Sequence, residues 1–228
     1  MEELRPNAQR GKLAIASIWA MICANLISML LGFLMSFIVL QITRGSDYDM
    51  TDYYYAVFYI TRFISFVYLA VLITSIVMII RWFRRAYYNL NVLTNESAYD
   101  DSWATKAWFV PFLNLYRPYE IMKELIEKTD SYIIEKYVLA GNDDFSREYL
   151  NTGTVKKWWT VNMILVGIYS FQIFLSVIGA ISILGIVGGT VLSLIKIGLM
   201  IISGIMLISI IKNYQKAENL LFQSSTIK

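Results

Sequence analysis

Residues 13–42 read LAIASIWAMICANLISMLLGFLMSFIVLQI, thirty consecutive positions without a charge. A helix needs ~20 apolar residues to cross about 30 Å of hydrocarbon, so this stretch is long enough to span a bilayer. It is also too long and too evenly apolar for a cleaved secretory signal, although Arg5, Arg10 and Lys12 precede it as a signal's basic region would. We read it as a retained anchor. Three further windows meet the same requirement: residues 53–80 with one charge (Arg62), 158–179 with none, and 187–211 with one (Lys196). The expected fold is all-α, a four-transmembrane-helix bundle forming one membrane domain over residues 1–228.

Composition agrees with that expectation. The chain is 57% hydrophobic and 16% charged, against roughly 45–50% and about 25% in soluble domains. Its mean hydropathy is +0.53. Aromatic residues make up 15%, and Tyr53, Trp82, Trp158 and Trp159 stand at the edges of the apolar windows, where a membrane interface recruits Tyr and Trp. The chain has no histidine, which removes His-ligated haem, most catalytic zinc sites and any Ser-His or Cys-His nucleophile pair. A lone cysteine, Cys23, excludes an internal disulfide and a thiolate metal cage. No metal, cofactor, catalytic residue or nucleic-acid partner is expected.

Orientation follows from the 20 Lys and Arg residues, because basic loops are retained on the cytoplasmic side. Three precede the first window, one (Arg44) lies in the first loop, eleven lie between Arg81 and Lys157, and three (Lys212, Lys216, Lys228) follow the last window. Both termini and residues 81–157 are expected in the cytoplasm, with the acidic, aromatic loop around Asp47, Tyr48, Asp49 and Asp52 outside. The expected location is a bacterial cytoplasmic (inner) membrane.

The segment 81–157 is expected to stay at the cytoplasmic interface. It opens with RWFRRAYYN (81–89), a basic, aromatic extension of the second helix that anchors it or attracts anionic headgroups. WATKAWFVPFLNLYRPY (103–119) is apolar enough to enter a membrane but carries Pro111 and Pro118. A proline costs ~3 kcal/mol inside a helix, so an interfacial or re-entrant element is expected rather than a span. A helix should start at Pro118, with Glu120 at the positive end of its dipole. Met122, Leu125, Ile126, Ile133 and Tyr137 recur at helical spacing and predict an amphipathic helix lying on the membrane or against the bundle, ended near Gly141–Asp144.

The string W-F-V-P-F-x-N-x-x-x-P-Y from Trp108 to Tyr119, with Asn114 at its centre, follows the basic aromatic run 82–89 and precedes Trp158, Trp159 and Asn162. This pattern, over roughly residues 50–215, resembles a family of bacterial membrane proteins known as domain of unknown function four-three-two-eight. The resemblance implies a small four-span bacterial membrane protein and carries over no catalytic or ligand residue.

Arg62 and Lys196 are the most informative single positions, because a basic group near the bilayer centre costs ~2.5–3.5 kcal/mol. Each lies nine residues inside its window, from Tyr53 or Val187, which at 1.5 Å per residue is about 14 Å deep. No Asp or Glu falls in any of the four windows, so the available partners are neutral: Asn25, Ser28 and Ser36 on the first, and Ser170, Gln172 and Ser176 on the third. On the fourth, Gly185, Gly189, Ser193, Lys196, Met200, Ser203 and Gly204 fall within about 60° of one line. Small residues permit close helix contact, so Gly185, Gly189, Ser193 and Gly204 read as a contact face and Lys196 as turned toward protein or water.

Two functions compete at this point. Two uncompensated cations at one depth, with Gln172 beside them, suit an oligomeric anion-permeable or anion- or lipid-binding assembly; four helices rarely enclose a pore alone, so this version requires a homo-oligomer. The alternative is a non-catalytic scaffold or accessory subunit that docks a membrane or cytoplasmic protein, or lipid, through segment 81–157. Glu120, Glu124 and Glu127, interleaved with Lys123 and Lys128, have the spacing of a solvated helix face rather than of an enzyme's acid and base.

Overall fold

The computed structural model describes residues 3–44, 51–94, 97–139, 150–177 and 185–226. The first-loop residues Asp47, Tyr48 and Asp49, the helix end near Gly141–Asp144 and the last two positions of the third window lie outside the described residues. Among the described residues the fold is wholly helical: α1 Ala8–Thr43, α2 Thr51–Thr94, α3 Trp103–Lys106, α4 Arg117–Leu139, α5 Thr152–Val177 and α6 Gly185–Thr226, with one 3-10 turn at Leu113–Leu115. Four of these, α1, α2, α5 and α6, are long and apolar enough to cross a membrane. The molecule is a multi-pass membrane protein.

Length separates the structure from the expected spans. The 44 residues of α2 and the 42 of α6 extend about 66 and 63 Å, roughly twice the hydrocarbon thickness. Both helices therefore run unbroken out of the apolar windows, α2 through residues 81–94 and α6 through 212–226. The fourth window, expected to end at Ile211, is only the first part of α6, and α5 starts six residues ahead of Trp158. No proline or glycine interrupts 81–94 or 212–226, which is why the helices continue.

These extensions build a lobe beside the membrane, and most of the core is there. Trp82, Phe83, Tyr87 and Leu90 of α2 pack with Ile121, Met122 and Leu125 of α4, Val155 and Trp158 of α5, and Ile211 and Tyr214 of α6. Full burial of a side chain such as Phe83, Leu125 or Met122 contributes about 1.5–3 kcal/mol. Helix α4 sits against α2, α5 and α6, burying Ile121, Met122, Leu125, Ile126 and Ile133 while Lys123 and Glu127 stay exposed. Its first residue is Arg117, with Pro118 next, where a missing N–H costs no helix bond.

The proline-flanked element does not form a spanning helix; it is two short turns joined by loop. Phe83, Trp108, Trp159 and Tyr119 make a chain of ring contacts, and Trp159 Nε1 donates to the Leu115 carbonyl at 3.1 Å, pinning the element to α2 and α5. Pro111 and Asn114 are exposed, as are Phe109 and Phe112, at 68% and 82%. Phe112 has φ +64°, the one positive φ outside glycine among the described residues. An aromatic held there is strained and stored against the contacts that pin the loop on either side.

In the membrane half, α1 is the central helix, packed against α2 on one side and α6 on the other, with α5 against α6. Its buried residues Gly11, Ala14, Ile18, Ile22 and Asn25 recur every three or four positions, one stripe of a helix otherwise facing lipid. Ser75 of α2 donates to the Ser17 carbonyl of α1 at 2.9 Å, and a Cβ at Gly204 would stand 3.1 Å from Ile22 and 3.2 Å from Ile18, so the small residue lets α6 pack closely on α1.

Candidate functional site: an intramembrane cavity around Lys196

Two polar pairs link α5 to α6. Nearer the lobe, Asn162 Nδ2 donates to Ser203 Oγ at 3.0 Å. Seven residues earlier on α6, Lys196 Nζ donates to Gln172 Oε1 at 2.8 Å and lies 5.2 Å from the centre of the Tyr169 ring. A neutral carbonyl and an aromatic face stabilise an ammonium without neutralising it. No carboxylate pairs with Lys196 among the described residues.

Lys196 opens onto a cavity of about 520 Å³ between α1, α5 and α6. From α1 come Asn25, Ser28, Gly32 and Ser36, which continue the buried stripe along the same helix face, and from α6 Gly189 and Ser193. Ser36 and Ser193 each donate to the carbonyl four residues back, at 2.9 Å, which leaves their oxygens facing the cavity as acceptors. Phe33, Leu194 and Ile197 supply apolar wall. The arrangement is one cation at a polar lining inside an otherwise apolar groove.

The sequence-designated residues divide here. Lys196 and Gln172 are joined. Arg62 does not line the cavity: it is exposed on α2 with its guanidinium 5.1 Å over the Phe58 ring. Ser170 and Ser176 are exposed too. Along the small-residue stripe, Gly204 is a tight contact with α1, whereas a Cβ at Gly189 would meet nothing and Ser193 lines the cavity; Gly185 begins α6, and its surroundings lie outside the described residues. Of the first-window residues named as neutral partners, Asn25, Ser28 and Ser36 all line the cavity, and Gly32 between them was not singled out.

The carboxylates of α4 serve the lobe. Glu124 accepts from the Tyr87 hydroxyl at 2.6 Å and the Ala98 N–H at 2.7 Å and pairs with Lys128 at 2.9 Å. Burial pushes its carboxyl up, but these three partners outweigh burial and hold it below the usual range. Glu120 accepts from Arg117 at 3.1 Å, and Lys123 pairs with Glu127 at 3.4 Å. Among the described residues no group of acidic or cysteine side chains is arranged to hold a metal.

The family model for the Domain of unknown function (DUF4328) matches residues 55–216. The chain belongs to this family. The DUF4328 match runs from α2 into the extension of α6, and so covers the Gln172–Lys196 pair and all of α4 while leaving out α1, which supplies the cavity's serine stripe. Comparison with curated proteins and with solved structures found no match.

Proposed function

We propose that this protein binds an anionic amphiphile, a membrane lipid or lipid-like acid, in the cavity around Lys196. The observation that carries this reading is an ammonium without a carboxylate partner beside about 520 Å³ of mainly apolar space with a polar strip, within the apolar windows. A charge placed there costs several kcal/mol unless something offsets it, and an anionic headgroup would do so. The apolar wall would take the adjoining chain, an arrangement that suits retention of a lipid better than passage of a hydrated ion. Arg62, exposed on the membrane half of α2, supports association with a second copy, which would remove it from lipid. No catalytic step is assigned to Glu120, Glu124 or Glu127.

The test is lipid retention and ion flux for the wild type, Lys196→Met and Lys196→Glu after reconstitution. Methionine keeps the length and volume of lysine without its charge, so Lys196→Met should stay folded and retain at least tenfold less anionic lipid by native mass spectrometry; Lys196→Glu should retain none. Equal retention by the wild type and Lys196→Met would sink the binding reading. Lysine-dependent anion flux without lipid retention would replace it with permeation.

A further inference from the structure

A second basic concavity lies at the other end of α1. The chain at residues 3–7 runs along the extension of α2, held by a reciprocal pair in which the Arg5 N–H donates to Asn89 Oδ1 at 3.0 Å and Asn89 Nδ2 donates to the Arg5 carbonyl at 2.9 Å. That clamp places the Arg5 guanidinium 4.3 Å over the Tyr88 ring. Arg10, in the first turn of α1, donates to the Arg81 carbonyl at 3.2 Å. Arg84 pairs with Asp101 at 3.2 Å. With Arg85, these side chains line a pocket of about 240 Å³, room for about eight waters at roughly 30 Å³ each.

The charges do not balance. Four guanidiniums and one carboxylate line the pocket, leaving three positive charges, and Arg81 adds its charge from beside it. Burial first, and then the charges of the neighbouring Arg85, Arg81 and Arg84, push the Arg10 guanidinium below its ordinary value. An interfacial anchor needs only scattered basic residues. Here guanidiniums from two segments more than seventy residues apart converge on one hollow, with the Arg5 backbone clamped to Asn89 and the Arg10 guanidinium bonded to the Arg81 carbonyl. Planar, forked donors of this kind match the oxygens of a phosphate. The pocket also sits at the right height: Arg10 is three residues before the first apolar window and Arg84 four after the second, within about 6 Å of the headgroup boundary along each axis.

We propose that Arg5, Arg10, Arg84 and Arg85 form a phosphate-binding site at the membrane boundary, independent of the Lys196 cavity. The ligand is an anionic phosphate group, carried by an anionic lipid or by a soluble compound. The experiment uses the full chain in mixed micelles and follows the melting midpoint with phosphatidylglycerol, phosphatidylcholine or inorganic pyrophosphate added. The wild type should be stabilised by phosphatidylglycerol if the source is lipid and by pyrophosphate if it is soluble, and in neither case by phosphatidylcholine. Arg10→Gln with Arg85→Gln should weaken that binding at least tenfold, and the double lysine replacement should recover only part, because charge returns without the fork. Lys156→Gln with Lys157→Gln removes two exposed charges elsewhere and should bind as the wild type does. In a Lys196→Met background, which removes any contribution of that cavity, Arg10→Gln with Arg85→Gln should still abolish what remains of the phosphate-dependent shift, and this arginine-dependent difference separates the site from the proposed function. Failure of both phosphate probes to stabilise the wild type, or equal losses in the Lys156/Lys157 control and the arginine variant, would overturn the proposal.

Discussion

Glu218 is 3% exposed, on the extension of α6 beyond the apolar window, and accepts from Asn89 Nδ2 at 2.9 Å. Burial raises its carboxyl from 4.5 to about 7, against the opposing pull of Asn89, Asn7 and the Arg85 charge. The folded state therefore binds the proton more tightly than the unfolded chain. Stability from this group is fully present below about pH 4.5 and is lost as pH rises through about 7, by an amount on the order of 3 kcal/mol at most. The melting midpoint should fall between pH 5 and pH 8, and Glu218→Gln, which keeps an acceptor for Asn89, should flatten that slope and raise the midpoint at pH 8. An unchanged slope in the variant would remove Glu218 as its source. Lys196 was legible in the sequence because a charge inside an apolar window stands out. Glu218 was not, because it follows Lys212 and Lys216 in a tail that reads as solvated, and only packing against α2 buries it.

Two glycines of one helix face make the sharpest contrast between elements. A Cβ at Gly204 would press on Ile18 and Ile22 of α1, while Gly189 faces the open cavity. Gly204→Leu must displace Ile18 and Ile22 and should cost about 1–3 kcal/mol. Gly189→Ala meets no atom and should be neutral or stabilise by up to about 1 kcal/mol through helix propensity. Thermal midpoints in one detergent measure both, and a larger loss at position 189 would contradict the packing described. The stripe's angular position was readable from spacing; which stretch of it touches a neighbour depends on where α1 diverges from α6, and no local pattern encodes that. The same limit applied to α4. Its apolar face was evident from Met122, Leu125, Ile126 and Ile133, but periodicity names a face and not the surface covering it, and the choice between membrane and bundle fell to contacts with α2, α5 and α6.

Across the whole molecule, the contacts tie four helix ends to one side. Arg5 is clamped to Asn89 past the end of the second window, Gln215 donates to the Ala8 carbonyl at 2.9 Å, the Tyr214 hydroxyl donates to the Ala86 carbonyl at 3.3 Å, and Trp159 at the start of α5 holds the proline-flanked element. The start of α1, the ends of α2 and α6 and the start of α5 therefore share a side whichever way the chain is inserted, and one labelled position on the lobe reports for all of them. The lobe segment between Arg81 and Lys157 carries eleven of the chain's twenty Lys and Arg residues, so the side expected is the cytoplasm. In a Cys23→Ser background, a cysteine at Asp52, an exposed residue in the first turn of α2 at the far end, should react with an impermeant maleimide added to intact cells. A cysteine at Ser97 should react only after the membrane is opened. Labelling at 97 from outside, with 52 protected, would invert the whole molecule; labelling at both from outside would break the single-sided lobe itself, because α2 runs unbroken from Thr51 to Thr94, three residues before 97, and a single crossing of the membrane must separate 52 from 97.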